Sequence, residues 1–124
     1  MGSRSQKLFL VDDDDDLRFT IALSLRDAGF DVKEFACADD ALPEVLAEPP
    51  GAVLLDYRIE GMTAPAFVDA MRKAGHDSVP VVLLTGSHNI DEIAADMKVF
   101  DALPKPFDID QLILRANAAI AANR

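Results

Sequence analysis

The sequence predicts a three-layer α/β protein in which five strands and five helices alternate along the chain and the strands form one parallel sheet. Short apolar runs alternate with segments whose apolar residues recur every three or four positions, which is the pattern of strands followed by helices. Three of the runs are apolar almost throughout, as is typical of strands covered on both faces. Parallel strands need crossover connections, so we expect right-handed crossovers through the helices.

The first half of the chain contains two strand–helix units. Residues 8–11 (LFLV) predict a buried strand, and residues 31–35 (DVKEF) predict a second, more polar one. The helix between them is marked by apolar residues at nearly regular spacing, Leu17, Ile21, Leu25 and Ala28. Gly29 can end that helix. A short helix is predicted over residues 41–47, where Pro43 is tolerable only in the first turn.

The second half contains three further strands, at residues 52–56 (AVLLD), 79–85 (VPVVLLT) and 101–104 (DALP). The helix after the third strand is marked by Phe67, Val68, Met71 and Ala74. The pairs Asn89 with Glu92 and Asp108 with Gln111 resemble capping boxes that open the last two helices. Apolar stripes follow both, at Ile90, Ile93, Ala94 and Met97 and at Ile109, Leu112, Ile113, Ala116 and Ile120.

Composition excludes several classes of protein. The 124 residues suit one domain, and their net charge of -10 argues against direct binding to nucleic acid or to an anionic membrane. No apolar run approaches the roughly 20 residues that span a bilayer. The start MGSRSQK lacks the apolar middle of a signal peptide, and the single cysteine, Cys37, cannot form an internal disulfide. A cytoplasmic setting is the simplest interpretation.

Polar side chains stand at the ends of four predicted strands. Asp12 and Asp13 follow the first strand, Asp56 ends the third, Thr85 ends the fourth, and the fifth runs into Lys105. Each has a commoner structural explanation by itself, such as a helix cap, a turn residue or a solvated loop residue. Ligands of parallel sheets sit outside the carboxyl ends of the strands, so the joint pattern indicates a functional site.

The chemistry of this set points to a cation and a phosphoryl group. Two carboxylates about 4 Å apart repel by about 4 kcal/mol at an effective dielectric near 20, and a divalent cation removes that conflict. An all-oxygen cluster suits Mg²⁺ better than a soft metal. A metal, a lysine and a hydroxyl around one more carboxylate can hold a transferring phosphoryl group, and the carboxylate is then the nucleophile that forms an acyl phosphate.

Four segments, LFLVDDD…LR, VLLDYR, VVLLTGS and LPKPF, resemble in order and spacing the receiver domains of two-component response regulators. The resemblance covers residues 7–122, and residues 1–6 are then a flexible N-terminal segment or a remnant of cloning. It implies a flavodoxin-like, doubly wound (βα)5 fold with strand order 2-1-3-4-5. It also implies a Lys105–Pro106 peptide bond that is often cis in this family.

The resemblance assigns a role to each residue of the set. Asp56 would accept the phosphoryl group from a sensor histidine kinase or a histidine phosphotransfer protein. Asp12 and Asp13 would bind Mg²⁺ (or Mn²⁺) together with Asp56, and the backbone carbonyl of Arg58 would complete the metal site. Thr85 would bond the phosphoryl oxygen in the active state, and Lys105 would pair with it.

The resemblance further implies residues that tune and transmit the signal. Residues beside the phosphoacceptor and the threonine would set the lifetime of the acyl phosphate, namely Tyr57, Arg58, Gly86 and Ser87. A downstream protein, or an output domain missing from this chain, would read the change at the surface of the last two helices and last strand. Slow self-dephosphorylation would reset the module.

The sequence departs from the family pattern at two places. Ala102 stands where many receivers carry an aromatic residue that moves with the threonine, and Phe100 is expected to share its face by strand alternation. Whether Phe100 is a substitute switch residue stays open. After the phosphoacceptor, Glu60 stands at a usual proline position and Ala64 where glycine is common, which predicts an atypical loop.

The remaining aspartates of the run, Asp14, Asp15 and Asp16, have a structural explanation. Residues 14–16 are interpreted as the cap and solvated first turn of a helix, whose dipole favours negative charge. An EF-hand is excluded because Leu17 and Leu23 occupy its glycine and twelfth positions.

Two alternative functions are possible from the sequence. A haloacid-dehalogenase-type phosphatase would use Asp12 as nucleophile but leaves Asp56 unexplained. A degenerate receiver would bind partners without phosphorylation.

Overall fold

Five parallel strands form one sheet in the computed structural model, which describes residues 6–123. The strands are β1 (Lys7–Val11), β2 (Asp31–Phe35), β3 (Ala52–Asp56), β4 (Val81–Thr85) and β5 (Asp101–Pro104). The helices are α1 (Asp15–Asp27), α2 (Ala38–Ala47), α3 (Ala64–Lys73), α4 (Ile90–Met97) and α5 (Ile109–Ala122). The order β2-β1-β3-β4-β5 confirms the predicted flavodoxin-like topology.

Side-chain alternation along the strands divides the core into two layers. In β1, Leu8 and Leu10 pack with buried residues of α1 and α5, whereas Phe9 and Val11 pack with those of α2 and α3. All four are at most 1% exposed, because helices cover both faces of the central strands. β1 pairs with β2 on one side and with β3 on the other, so the strand order reverses at β1 and β3. Such a reversal opens a crevice at the carboxyl edge of the sheet.

The beginning of α1 confirms the interpretation of the aspartate run. Asp14 has extended backbone angles, and its carboxylate accepts a hydrogen bond of 3.1 Å from the amide of Leu17. Asp15 and Asp16 follow in the first turn and are exposed. The helix dipole favours these carboxylates at the start of α1.

The structure corrects three details of the secondary-structure prediction. α2 begins at residue 38 rather than 41, so Pro43 lies inside the helix and not in its first turn. The fully buried Ala38, Ala41 and Val45 lie on one helical face, and their packing outweighs the hydrogen bond that proline cannot donate. Asn89 precedes α4 without a side-chain cap, since its backbone angles are not extended. β4 begins at Val81, two residues later than predicted.

Several features of the second half of the chain agree with expectation. The amide of Asp108 donates to Gln111 Oε1 at 3.3 Å at the start of α5, as a capping box requires. The Lys105–Pro106 bond is cis. No helix within residues 6–123 is long and apolar enough to cross a membrane. Of the segment predicted to be flexible, residues 1–5 lie outside the described part of the chain.

Candidate functional site

The carboxyl edge of the sheet brings the five predicted site residues together. Asp12 follows β1, Asp56 and Thr85 end β3 and β4, and Lys105 directly follows β5. Asp12, Asp56 and Thr85 are 0%, 5% and 1% exposed, while Asp13 is exposed beside them. Buried polar side chains need partners inside the protein, so their contacts define what the site can do.

Lys105 reaches into the cluster and pairs with the predicted phosphoacceptor. Its Nζ lies 3.1 Å from Asp56 Oδ2 and 4.0 Å from Asp12 Oδ2. The backbone amide of Lys105 donates to the carbonyl of Thr85 at 2.8 Å, which fixes the lysine at the end of β4. The second oxygen of Asp56, Oδ1, accepts the amide of Arg58 at 3.1 Å. Both oxygens of Asp56 therefore have donors.

The acidic cluster can hold a cation. Carboxylate oxygens of Asp12, Asp13 and Asp56 lie within 4.8 Å of one another. Asp12 Oδ1 accepts the amide of Asp14 at 2.9 Å, but the buried Oδ2 has no hydrogen-bond partner among the described residues. A buried carboxylate oxygen without a donor, facing a second carboxylate, fits a ligand to a cation. The donors are all oxygen, as Mg²⁺ prefers.

The electrostatics of Asp12 agree with this geometry. The pKa of Asp12 is raised to about 6, mainly by burial and in the same direction by the neighbouring Asp56 carboxylate, while the Asp14 amide and Lys105 oppose the shift. Near neutral pH the Asp12 side chain is mostly an ionised carboxylate, although burial and the neighbouring Asp56 carboxylate disfavour its charge. A cation between the carboxylates would relieve both desolvation and repulsion.

The residues predicted to tune the site lie around it. Thr85 Oγ1 accepts the amide of Ser87 at 3.1 Å, so the turn after β4 wraps around the hydroxyl, with Gly86 between them. The amide of Tyr57 donates to the carbonyl of Leu84 at 2.9 Å, which holds the residue after Asp56 against β4. These contacts place the four tuning residues next to Asp56 and Thr85, and their effect on lifetime stays a prediction.

Phe100 is not brought to the site. It precedes β5, and its amide donates to the carbonyl of Val81 at 3.0 Å, four residues before Thr85 in the neighbouring strand. At about 3.3 Å per residue, this separates the two positions by about 13 Å along the sheet. Ala102 pairs with Leu83 inside the sheet and packs against the core. Phe100 directly precedes β5, which begins at Asp101, so whether it replaces the missing switch aromatic stays a prediction.

Two contacting residues were not predicted from the sequence. Arg18 Nη1 donates to the backbone carbonyl of Asp12 at 2.7 Å; its only signal was its place in the first motif. Asp39 of α2 accepts the amide of Met62 at 2.8 Å and thereby ties the loop after β3 to α2. Gly61 has φ +79 there, and a Cβ on it would lie 2.8 Å from Asp39 Oδ1. The loop is thus held by a contact that the sequence spacing does not reveal.

Comparisons with known proteins give one family. The model of the response regulator receiver domain matches residues 8–117. The nitrogen assimilation regulatory protein NtrX of Azorhizobium caulinodans is 31% identical over 121 residues, which are 94% of this chain and 26% of that protein. The DNA-binding transcriptional regulator NtrC of Klebsiella pneumoniae is 30% identical over 115 residues, which are 91% of this chain and 24% of that protein. The chain spans about a quarter of the length of these two regulators.

A solved structure extends the likeness to the fold. The receiver domain of NtrX from Brucella abortus is 33% identical and superposes with a TM-score of 0.83, covering 92% of this chain and 98% of that one. The strand order, the acidic cluster and the lysine at the sheet edge agree with the family match over nearly the whole chain. This chain belongs to the receiver domains of two-component response regulators.

Proposed function

We propose that this receiver takes a phosphoryl group from a phosphohistidine onto Asp56 in a Mg²⁺-dependent reaction. The observation that supports the proposal is one arrangement at the edge of the sheet. Asp56 is buried at the end of β3 with the Lys105 ammonium at 3.1 Å, and beside it Asp12 presents a buried oxygen without a hydrogen-bond partner within residues 6–123. A carboxylate nucleophile, a cation for the phosphoryl oxygens and an acidic cluster for a metal meet at one point.

The transfer exchanges one bond to phosphorus for another. A carboxylate oxygen of Asp56 forms a bond to phosphorus while the bond between phosphorus and the donor's imidazole nitrogen breaks, and the imidazole takes up a proton from solvent. Lys105 pairs with a phosphoryl oxygen of the product, and the Thr85 hydroxyl donates to another. The Thr85 hydroxyl accepts the amide of Ser87, and the main chain of Lys105 is fixed to the end of β4 while its ammonium pairs with Asp56, so both groups lie beside the phosphoacceptor before transfer.

The metal would be Mg²⁺ (or Mn²⁺), held by Asp12, Asp13, Asp56 and the backbone carbonyl of Arg58. When bound, it neutralises the carboxylates and the phosphoryl oxygens that approach them. Asp13 is exposed and offers the entry side, whereas Asp12 lies underneath. The amide of Arg58 bonds Asp56 Oδ1, which holds the main chain of Arg58 next to the phosphoacceptor.

The phosphorylated state would act by changing affinity for a partner. We infer a sensor histidine kinase or histidine phosphotransfer protein upstream, and a downstream protein or a further domain as output. NtrC and NtrX are regulators of which the matched region is a quarter, so an output outside this region is consistent with them. The net charge of -10 disfavours direct DNA binding by the receiver itself. The lack of an internal disulfide is consistent with a cytoplasmic setting.

Hydrolysis would reset the module. Water attacks the phosphorus of the acyl phosphate, which releases inorganic phosphate and restores the Asp56 carboxylate. Arg58 and Ser87 flank the phosphoacceptor and Thr85, and we propose that their side chains limit the access of that water. This slow self-dephosphorylation is the only catalytic turnover that we assign to the chain.

Intact-mass measurement after incubation with acetyl phosphate and Mg²⁺ tests the proposal. The wild type is expected to gain one phosphoryl group, and Asp56→Asn is expected to gain none. Asp12→Asn separates the alternatives: a phosphatase of the haloacid-dehalogenase type loses its adduct in this variant and keeps it in Asp56→Asn. A phosphatase of that type resembles this chain through an Asp-x-Asp motif, which Asp12 and Asp14 would form, but in the structure Asp14 caps α1. No adduct on the wild type, even at short times, would favour a receiver that binds partners without phosphorylation.

A further inference from the structure

We propose that Arg18 is a positioning residue for the metal site, which holds the peptide between Asp12 and Asp13 in the orientation that cation binding needs. The inference rests on the proposed function, since it concerns the same acidic pair. Among the described residues, the contacts of Arg18 do not include the carboxylates of Asp12, Asp13 or Asp56. It acts through the backbone that joins the two metal-binding aspartates.

The guanidinium of Arg18 joins three segments of the chain. Nη1 donates to the carbonyl of Asp12 at 2.7 Å, Nε donates to Glu34 Oε1 of β2 at 3.2 Å, and Nη2 lies 2.9 Å from Asp15 Oδ1. Only 15% of the Arg18 side chain is exposed. The planar fork of arginine can serve three acceptors at fixed angles, which an ammonium cannot. Arg18 thus connects the end of β1, the first turn of α1 and the edge strand β2.

The contacts of Arg18 matter because electrostatic repulsion favours movement of the acidic residues. Asp12 is buried beside Asp56, and repulsion between their carboxylates favours any backbone rotation that separates them. The carbonyl of Asp12 belongs to the peptide that leads directly into Asp13. A charge-assisted hydrogen bond to that carbonyl resists rotation of the peptide, and so keeps both carboxylates on the same side. Removing a group that orients a metal ligand, without itself binding the metal, commonly lowers metal affinity about 10–100-fold.

Arg26 provides a matched control inside the same network. Its Nη1 bonds Glu34 Oε2 at 3.2 Å, and its Nη2 donates to the carbonyl of Val32 at 2.8 Å. Arg26 therefore shares a carboxylate with Arg18 and also bonds a main-chain carbonyl, but its contacts among the described residues do not include Asp12 or Asp13. Replacing either arginine removes one charge from the protein and one partner from Glu34. Only the Arg18 replacement frees the Asp12 carbonyl.

The test compares Mg²⁺ affinity in Arg18→Gln and Arg26→Gln. Tyr57 is the only tyrosine of the sequence, which has no tryptophan, so fluorescence excited at the tyrosine band comes from this residue. Because Tyr57 directly follows Asp56, its fluorescence reports on the metal site. Arg18→Gln is expected to weaken Mg²⁺ binding about tenfold, while Arg26→Gln stays close to the wild type. Arg18→Lys, which keeps the charge without the fork, is expected to fall between. Equal affinity in Arg18→Gln and the wild type would overturn the proposal.

A metal-free measurement separates this inference from the proposed function. The amide of Asp14 is held by Asp12 Oδ1, so its hydrogen exchange reports on the orientation of Asp12 without any cation. Faster exchange of this amide in Arg18→Gln, with no change in Arg26→Gln, supports the positioning role even if the wild type binds no Mg²⁺. Unchanged exchange in both variants contradicts it. If Arg18→Gln fails to fold, the same two readouts in Arg18→Lys decide the question.

Discussion

Replacing Asp12 by asparagine should stabilise the metal-free protein near pH 8. The side chain is 0% exposed, one of its oxygens has no hydrogen-bond partner in the part of the chain that the structure describes, and its pKa is raised, mainly by burial, from 3.8 to about 6. A carboxyl group whose pKa is higher in the folded state binds more protons there than in the unfolded state. The stability that it contributes is therefore fully present below about pH 4 and is lost as the pH rises through about 6.

The size of the effect follows from the two pKa values. Their difference of about two corresponds to about 3 kcal/mol between the low-pH and high-pH limits. Asparagine keeps an oxygen for the amide of Asp14 and places a neutral amide group where Asp12 Oδ2 lies. We therefore expect Asp12→Asn to raise the free energy of unfolding by about 1–3 kcal/mol near pH 8, and by much less near pH 4.

Urea unfolding followed by circular dichroism measures this difference, at about pH 4 and about pH 8 with a chelator present. Asp13→Asn is the control, because Asp13 is exposed and its replacement should change stability little. Adding Mg²⁺ should stabilise the wild type by mass action and leave Asp12→Asn nearly unchanged. A variant less stable than the wild type at both pH values would refute the argument that the buried carboxylate is destabilising without its cation.

Three further predictions concern the loop, the metal and the far end of β5. Gly61→Ala should lower the free energy of unfolding by about 2 kcal/mol or more, through strain at φ +79 and a contact of 2.8 Å with Asp39. A Cβ on Gly75 meets no described atom within 4 Å, so Gly75→Ala should cost only about 1 kcal/mol; urea unfolding measures both. Mg²⁺ affinity, from Tyr57 fluorescence, should fall up to about tenfold per pH unit below about pH 6, since the cation must displace the proton of Asp12; a pH-independent affinity would contradict this. Phe100→Ala should leave the lifetime of the acyl phosphate unchanged, as followed by intact mass over time, because Phe100 is 42% exposed and lies at the other end of the sheet.

The sequence predicted which polar side chains lie together at the sheet edge, because their proximity follows from topology. Strands that alternate with helices must run parallel, and their carboxyl ends then meet at one edge, whatever the details of the loops. Asp12, Asp56, Thr85 and Lys105 were found by reading the residue at each strand end. The unpartnered oxygen of Asp12 could not be predicted, because it depends on where each donor points.

The predictions that failed depend on packing or on long-range contacts. Pro43 was expected at a helix start, but the burial of Ala38 with Val45 extends α2 around it. The sequence left open whether Phe100 replaces the missing switch aromatic, and its place before β5 puts it about 13 Å from Thr85 along the sheet. Arg18 contacts its partners across three segments, so no local spacing identifies its role.

The most direct test of the account is to locate the phosphoryl group. Reduction with borohydride converts a phosphorylated aspartate to homoserine, and peptide mapping after treatment with acetyl phosphate and Mg²⁺ then identifies the residue. The account predicts homoserine at position 56 alone, and none when Mg²⁺ is withheld. Modification at Asp12 or Asp13, or at position 56 to the same extent without a divalent cation, would contradict it.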